Sequence, residues 1–327
     1  CWSPEAACTR NTRLRCPSIW MITPDNPYYR QVQLLVRVLP AVAAEGCFAL
    51  KGGTAINLFV RDLPRLSVDI DLAFLPITEF DVARRQISEA LGRIRDRLVG
   101  ASPEYRITTG TNDRSGFFDT LNVSDAAAQI KIEVNPVLRG SLDEPVVMTV
   151  RAAVEEIFGF AEVKALSFAD LYGGKLMAAI DRQHPRDLYD VKLLLENEGM
   201  SDALFRSFFV YLIGHKGSLA DSLEPNRKDI RKVYEDHFRG MTAEPVSIEE
   251  LEQTRERLID EIHGRLGERD KQFLLSMKRG EPDWDLLALG RAQELPAVKW
   301  KLHNLRRMPA ADRERAIERL LLVLERI

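Results

Sequence analysis

Apolar residues recur at three- and four-residue spacing between positions 25 and 46, at Tyr28, Val32, Leu35, Val36, Leu39, Val42 and Ala43. That period predicts an amphipathic helix, with Asp25 or Asn26 placed to cap it and Pro27 in its first turn. Residues 48–50 then read as a short strand stopped by Gly52-Gly53, followed by a helix over 54–60, a loop at Pro64 and a strand over 68–74. A long amphipathic helix is expected over 79–99, with Ile87, Leu91, Ile94 and Leu98 turned inward. Between 104 and 135 the period falls to two, which predicts strands at 105–108, 117–123 and 129–134, with 110–116 as a hairpin loop. Residues 146–150 form a further short strand candidate.

Ser167 and Asp170 have the spacing of a capping box and open a helix through Lys175 and Ile180. Pro185 interrupts it, and a second helix runs from Arg186. From Ser201 onward every periodic stretch is helical, with breaks near Gly217, Pro225, Pro245, Pro282, Pro296 and Pro309. The expected fold class is α+β: a core over residues 21–165 and a helical domain over 166–327. Residues 1–20 lack periodicity and hold Cys1, Cys8 and Cys16 at spacings that match no zinc pattern, so they read as a non-native or disordered leader outside the fold.

Composition narrows the class. Hydrophobic residues at 45% and charged residues at 29% over 327 positions fit a globular chain of one or two domains. No apolar run approaches the roughly 20 residues of a membrane-spanning helix, and no secretory signal is evident, so a cytoplasmic protein without a membrane partner is expected. A net charge of −3 argues against tight duplex binding but leaves room for a local basic patch.

Candidate chemistry concentrates around residues 48–72. Asp69 and Asp71 lie two apart on a predicted strand and leave the same face, while Ile70 and Leu72 enter the core. Two such carboxylates repel unless a cation lies between them, and hard oxygen donors with substrate phosphates suit Mg²⁺; the bland alternative is a solvated pair. Lys131 and Glu133 repeat this geometry, so Glu133 is a candidate third carboxylate for a two-metal site and Lys131 a charge balance or phosphate contact. A surface ion pair is the other reading. Gly52-Gly53-Thr54 at a strand-to-helix junction allows close approach of a phosphate, with the Thr54 hydroxyl beside it; alone it is equally a tight turn. Lys175 and Arg182 share a helix face and suit β- and γ-phosphates, and Asp187 and Asp190 share a face of the next helix; both pairs also read as solvated helix surface.

Together these segments resemble a family. Lys51-Gly-Gly-Thr-Ala-Ile-Asn-Leu-Phe with Ser67-Val-Asp-Ile-Asp-Leu, then Ile130-Lys-Ile-Glu, Leu171-Tyr-Gly-Gly-Lys and Arg186-Asp-Leu-Tyr-Asp, is similar in content and order to the AbiEii/AbiGii-type nucleotidyltransferase toxins of type IV toxin–antitoxin and abortive-infection systems. The first motif alone also fits other members of the polymerase β-like superfamily. The resemblance implies a core with a small mixed sheet and Mg²⁺-dependent transfer of a nucleoside monophosphate from an NTP to an acceptor. That acceptor would be an RNA, the tRNA 3′ end in better-understood relatives, so that translation stops, and a cognate antitoxin would be a partner. It implies that Gly52, Gly53 and Thr54 hold phosphates, Asp69 and Asp71 hold Mg²⁺, Lys175 contacts the triphosphate, and Asp187 or Asp190 is the final acidic residue. Ser67 occupies a position where phosphorylation would set negative charge beside the metal site. Transfer to a protein or small molecule, and a catalytically silent NTP-binding module, are the alternatives. Two basic clusters, Arg227-Lys228 with Arg231-Lys232 and Lys299-Trp300-Lys301 with Arg306-Arg307, are expected to dock RNA or an acidic antitoxin surface, or to serve only solubility.

Overall fold

The computed structural model of the chain describes residues 26–110 and 116–327. Helix α1 (Pro27–Ala43) starts at Asn26, whose side chain accepts from the Tyr28 amide at 2.9 Å; Asp25 and the expected leader lie outside the described residues. After β1 (Phe48–Lys51), a single turn α2 (Gly52–Thr54) runs into a π-helical segment, Ala55–Val60, closed by the Arg61 amide on the Ile56 carbonyl at 2.7 Å. An ordinary helix was the expectation there. Ala55 to Phe59 are all buried, and π turns of this kind are frequent at functional sites.

The remaining elements of the first half are β2 (Asp69–Phe74), α3 (Phe80–Ala101), β3 (Arg106–Gly110), β4 (Thr120–Ser124), β5 (Gln129–Val134), β6 (Val146–Thr149), α4 (Ala152–Phe158) and β7 (Glu162–Ala165). Most of the expected hairpin loop falls outside the described residues. The seven strands form one mixed sheet in the order β3-β4-β5-β2-β1-β7-β6, parallel at β2–β5 and β1–β7. It is wider than a small sheet because β7, which sequence periodicity did not reveal, pairs with β1 and carries β6 outward. At its centre Ile70, Leu72, Ile132 and Val134 are fully buried, while Asp69 stands opposite Lys131 and Asp71 opposite Glu133 on the other face. Helix α1 packs against β5 and β7 and α3 against β3 and β4.

The helical part comprises α5 (Phe168–Arg182), α6 (Pro185–Asn197), α7 (Asp202–Gly214), α8 (Leu219–Leu223), α9 (Arg231–His237), α10 (Ile248–Arg265), α11 (Glu268–Arg279), α12 (Pro296–Arg307) and α13 (Ala310–Leu324). Helix α5 lies between α6 and α7, and α12 packs on α7. This part grips the loop that precedes β2: the Leu66 amide donates to the Met241 carbonyl and the Ala243 amide to the Pro64 carbonyl, each at 2.9 Å. No helix among the described residues is long and apolar enough to cross a membrane.

The capping box at Ser167 is only half formed. Ser167 Oγ accepts from the Asp170 amide at 3.2 Å, but the Asp170 carboxylate accepts instead from the amides of Leu142 and Asp143 at 2.9 and 3.1 Å. Asp170 is thus a buried tie between α5 and the loop after β5. Burial pushes its pKa up to about 6 against the opposing pull of those two amides. The folded chain therefore holds a proton that an unfolded aspartate releases near pH 4, so stability from this group declines as pH rises from about 4 through 6. Asp170→Asn is expected to flatten the pH dependence in that window and to stabilise the chain at pH 8 by about 1–3 kcal/mol. Urea denaturation at pH 5 and 8 measures it; an unaltered slope in Asp170→Asn would count against this assignment.

Candidate active site

Between the charged face of the sheet and the helical part lies a cleft of about 1070 Å³. Gly52, Gly53, Asp71 and Glu133 line one side, and Lys175 and Arg182 the other. Gly52 has φ +74°, and a Cβ there would collide with the Asp71 carboxylate. A Cβ on Gly53 would lie 2.8 Å from Arg65 Nη2 and 2.9 Å from Ser67 Oγ. The double glycine is thus required by close packing on Asp71 and Arg65, and it leaves backbone exposed on the cleft floor.

Asp69 and Asp71 share the face of β2 that alternation predicts, both partly buried. Burial, and then the Asp71 charge beside it, raise the Asp69 pKa, while Arg186 and Lys131 pull the other way. This is the electrostatic state that a divalent cation relieves, so the pair fits Mg²⁺ with phosphate oxygens completing its shell. Glu133, the expected third carboxylate, stands opposite Asp71 and lines the same cleft, and it forms an ion pair with Lys131 on its own strand. Lys131 balances the Glu133 charge, and the ion pair is along one strand, since both side chains emerge on the same face.

Thr54 and Ser67 also depart from expectation. Thr54 is fully buried, with its hydroxyl donating to the Asp69 carbonyl at 2.5 Å and lying 3.0 Å from Ser67 Oγ. The pair fastens α2 to the start of β2 and does not line the cleft. Ser67 is 7% exposed, so a phosphoryl group could reach it only after this contact opened.

Lys175, Asp187 and Asp190 form a buried charge cluster. Lys175 Nζ lies 2.8 Å from both Asp187 Oδ1 and Asp190 Oδ2, and Arg182 reaches Asp187 Oδ2 at 2.8 Å. Asp190 also receives a two-pronged contact from Arg65, Nε to Oδ1 at 2.7 Å and Nη2 to Oδ2 at 2.6 Å, and Asn57 Nδ2 at 3.2 Å. Burial works against every charge here. It is outweighed at Lys175 by Asp187 and Asp190, which raise its pKa, and at Asp190 by Arg65 and Lys175, which hold the carboxyl well below its usual range. Neither aspartate lines the cleft, so both hold cations in place: Asp190 anchors Arg65 and Lys175, and Asp187 joins Lys175 to Arg182.

Sequence reading missed Arg65, Asn57, Arg139 and Arg186. Asn57 stood inside the quoted motif and Arg65 two positions before its second segment, both without a role, because their partner is 133 and 125 positions away. Arg139 lines the cleft with its guanidinium over the Phe80 ring at 5.8 Å and Nη2 donating to the Thr78 carbonyl at 3.0 Å; its other two nitrogens have no hydrogen-bond partner among the described residues. Of the basic clusters, Arg227 is held by Glu256 at 2.7 Å and Lys228 Nζ by the Asp181 carbonyl at 2.7 Å, so the first is largely engaged within the fold. In the second, Lys301 and Trp300 turn to the cleft, while Arg306 binds the Gly280 carbonyl at 3.0 Å.

The fold is that of a nucleotidyltransferase: the chain is similar to MenT4, a nucleotidyltransferase toxin from Mycobacterium tuberculosis H37Rv, with a TM-score of 0.59 at 13% identity over 85% of this chain and 93% of that one. The chain belongs to the AbiEii family, described as nucleotidyl transferase AbiEii toxin of type IV toxin–antitoxin systems, whose profile matches residues 33–304. It is thus a nucleotidyltransferase toxin, with an NTP as substrate and an antitoxin as partner. No curated protein matches its sequence.

Removing one member of the buried cluster leaves the others uncompensated. Asp190→Ala is expected to destabilise the chain by ~3–5 kcal/mol in urea denaturation, far more than loss of a surface pair. Because the folded pKa values of Asp187 and Asp190 are depressed, the stability they contribute is present above pH 4 and is lost as pH falls below it. Equal acid sensitivity of wild type and Asp190→Ala would contradict this.

Proposed function

We propose that the chain transfers a nucleoside monophosphate from an Mg²⁺-bound NTP to an RNA acceptor in the cytoplasm, the tRNA 3′ end being the favoured one, and so blocks translation. The observation that carries this reading is that Gly52-Gly53 and Asp71, with Asp69 on the same strand face, share one cleft with Lys175 and Arg182.

Asp69 and Asp71 would hold the ion, which when bound draws charge from the phosphates and steadies the departing pyrophosphate. The Gly52-Gly53 backbone, exposed on the cleft floor, receives the triphosphate. Lys175 and Arg182 approach from the opposite wall and neutralise its outer phosphates. Asp187 and Asp190 keep both cations aimed, and Arg65 ties that arrangement to the loop before β2. Arg186, whose charge acts on Asp69, helps keep that carboxyl ionised. The acceptor hydroxyl oxygen attacks the α-phosphorus and gives up its proton to solvent water, the bond to the β-phosphate oxygen breaks, and pyrophosphate leaves.

Incubation with each α-labelled NTP, Mg²⁺ and total RNA tests the reading. Label is expected on tRNA, reduced at least about 10³-fold in Asp69→Ala and in Asp71→Ala, and abolished by chelation of the metal. Label confined to protein would replace RNA with a protein hydroxyl as acceptor, and no label with any NTP would leave only nucleotide binding.

A further inference from the structure

Two lysines on the helical wall of the cleft are buried without a counter-charge. Lys278 on α11 is 5% exposed and Lys301 on α12 is 7% exposed, and both line the cleft. Neither has a carboxylate within ion-pair distance among the described residues. Lys301 donates to the Gly217 carbonyl. The one acid whose charge reaches Lys278 is Asp221, and Asp221 is held by Arg319. Lys175 is equally buried on the same cleft, yet it sits between two aspartates. Burial lowers the pKa of both wall lysines, and the Lys278 charge helps bring Lys301 down to about 8. Buried charges are rarely left unpaired in a fold, because desolvation is costly. An anion entering the cleft would supply the missing partner.

Beside Lys301 stands Trp300, which lines the same cleft and is 55% exposed. Its ring stacks on His303 at 5.8 Å and 14°, which holds one aromatic face steady. An open aromatic face next to unneutralised lysines is the combination that binds an unpaired nucleic-acid strand, the ring taking a base and the cations the backbone. Triphosphate already has cations in Lys175 and Arg182 on the same cleft, so a second anionic ligand is the better fit for this wall.

We propose that the helical wall is a subsite for an unpaired polynucleotide end, in which Lys278 and Lys301 hold a backbone phosphate and Trp300 stacks a base. The proposal rests on the nucleotidyl-transfer reading and gives the acceptor strand its place in that cleft.

The test is fluorescence anisotropy of a short single-stranded RNA with a free 3′ hydroxyl, titrated with the full chain over a salt series, without NTP. Lys278→Met and Lys301→Met are each expected to weaken binding roughly tenfold and to lower the salt slope by about 0.7. Trp300→Ala is expected to weaken it roughly tenfold with the slope unchanged. Binding of a fluorescent NTP analogue should stay the same in all three. Thermal melting checks that each variant folds, Lys301→Met giving up its bond to the Gly217 carbonyl; Trp300 is exposed, so its variant tests the subsite independently of the buried lysines. RNA affinity unchanged in the lysine variants, loss of NTP-analogue binding in place of RNA binding, or equally tight duplex binding through the same residues would each overturn the proposal. The readout needs no turnover. Lysine-dependent RNA binding in a chain that transfers nothing would count against the transfer reading alone, whereas normal transfer with lysine-independent RNA binding would count against the subsite alone.

Discussion

The site depends on the burial of Asp190 between Arg65 and Lys175. Three charged groups are taken out of water there, and each is tolerable only because the others are in place. Arg65 comes from the loop before β2, Lys175 from α5 and Asp190 from α6, so the cluster joins the sheet to the helical part at one point. The hydrogen bonds from that loop to Met241 and Ala243 reinforce the same junction. The cleft exists because this junction holds the two sides at a set separation.

The junction also explains why polar residues crowd Gly53. The Arg65 guanidinium and Ser67 hydroxyl pass where a side chain would stand, and the Asn57 amide spans the Gly53 carbonyl at 2.9 Å and Asp190 at 3.2 Å. The π-helical turn brings Asn57 inward with its apolar neighbours on all sides. The glycine motif is therefore shaped by two demands, room for a ligand on the cleft side and room for Arg65 behind it. A requirement of either kind would forbid a Cβ.

Much of the fold was legible from local pattern. Period-two alternation at Asp69 to Leu72 and at Ile130 to Glu133 gave both faces of the central strands, and the amphipathic stripes of α1 and α3 marked their cores. What failed was short or non-local. Four residues, Glu162–Ala165, carry too little periodicity to announce a strand, yet β7 pairs beside β1 in the sheet interior. Asp170 fits a local capping box by spacing, but the amides of Leu142 and Asp143 offered it better partners.

The sequence by itself determined that Asp69 and Asp71 share a strand face, that a double glycine precedes them, and which family the motifs resemble, because these follow from spacing over a few residues. Only the tertiary structure decided what each remaining charge faces. It paired Glu133 with Lys131, turned Thr54 and Ser67 into the interior, and gave both Asp187 and Asp190 to Lys175. It also left Lys278 and Lys301 buried with no carboxylate in ion-pair distance among the described residues. A charge's partner is set by distance in space, and neighbours on different elements, Arg65 and Asp190 at 125 positions being the longest reach in the cluster after Asn57, acquire that distance only when the chain has folded.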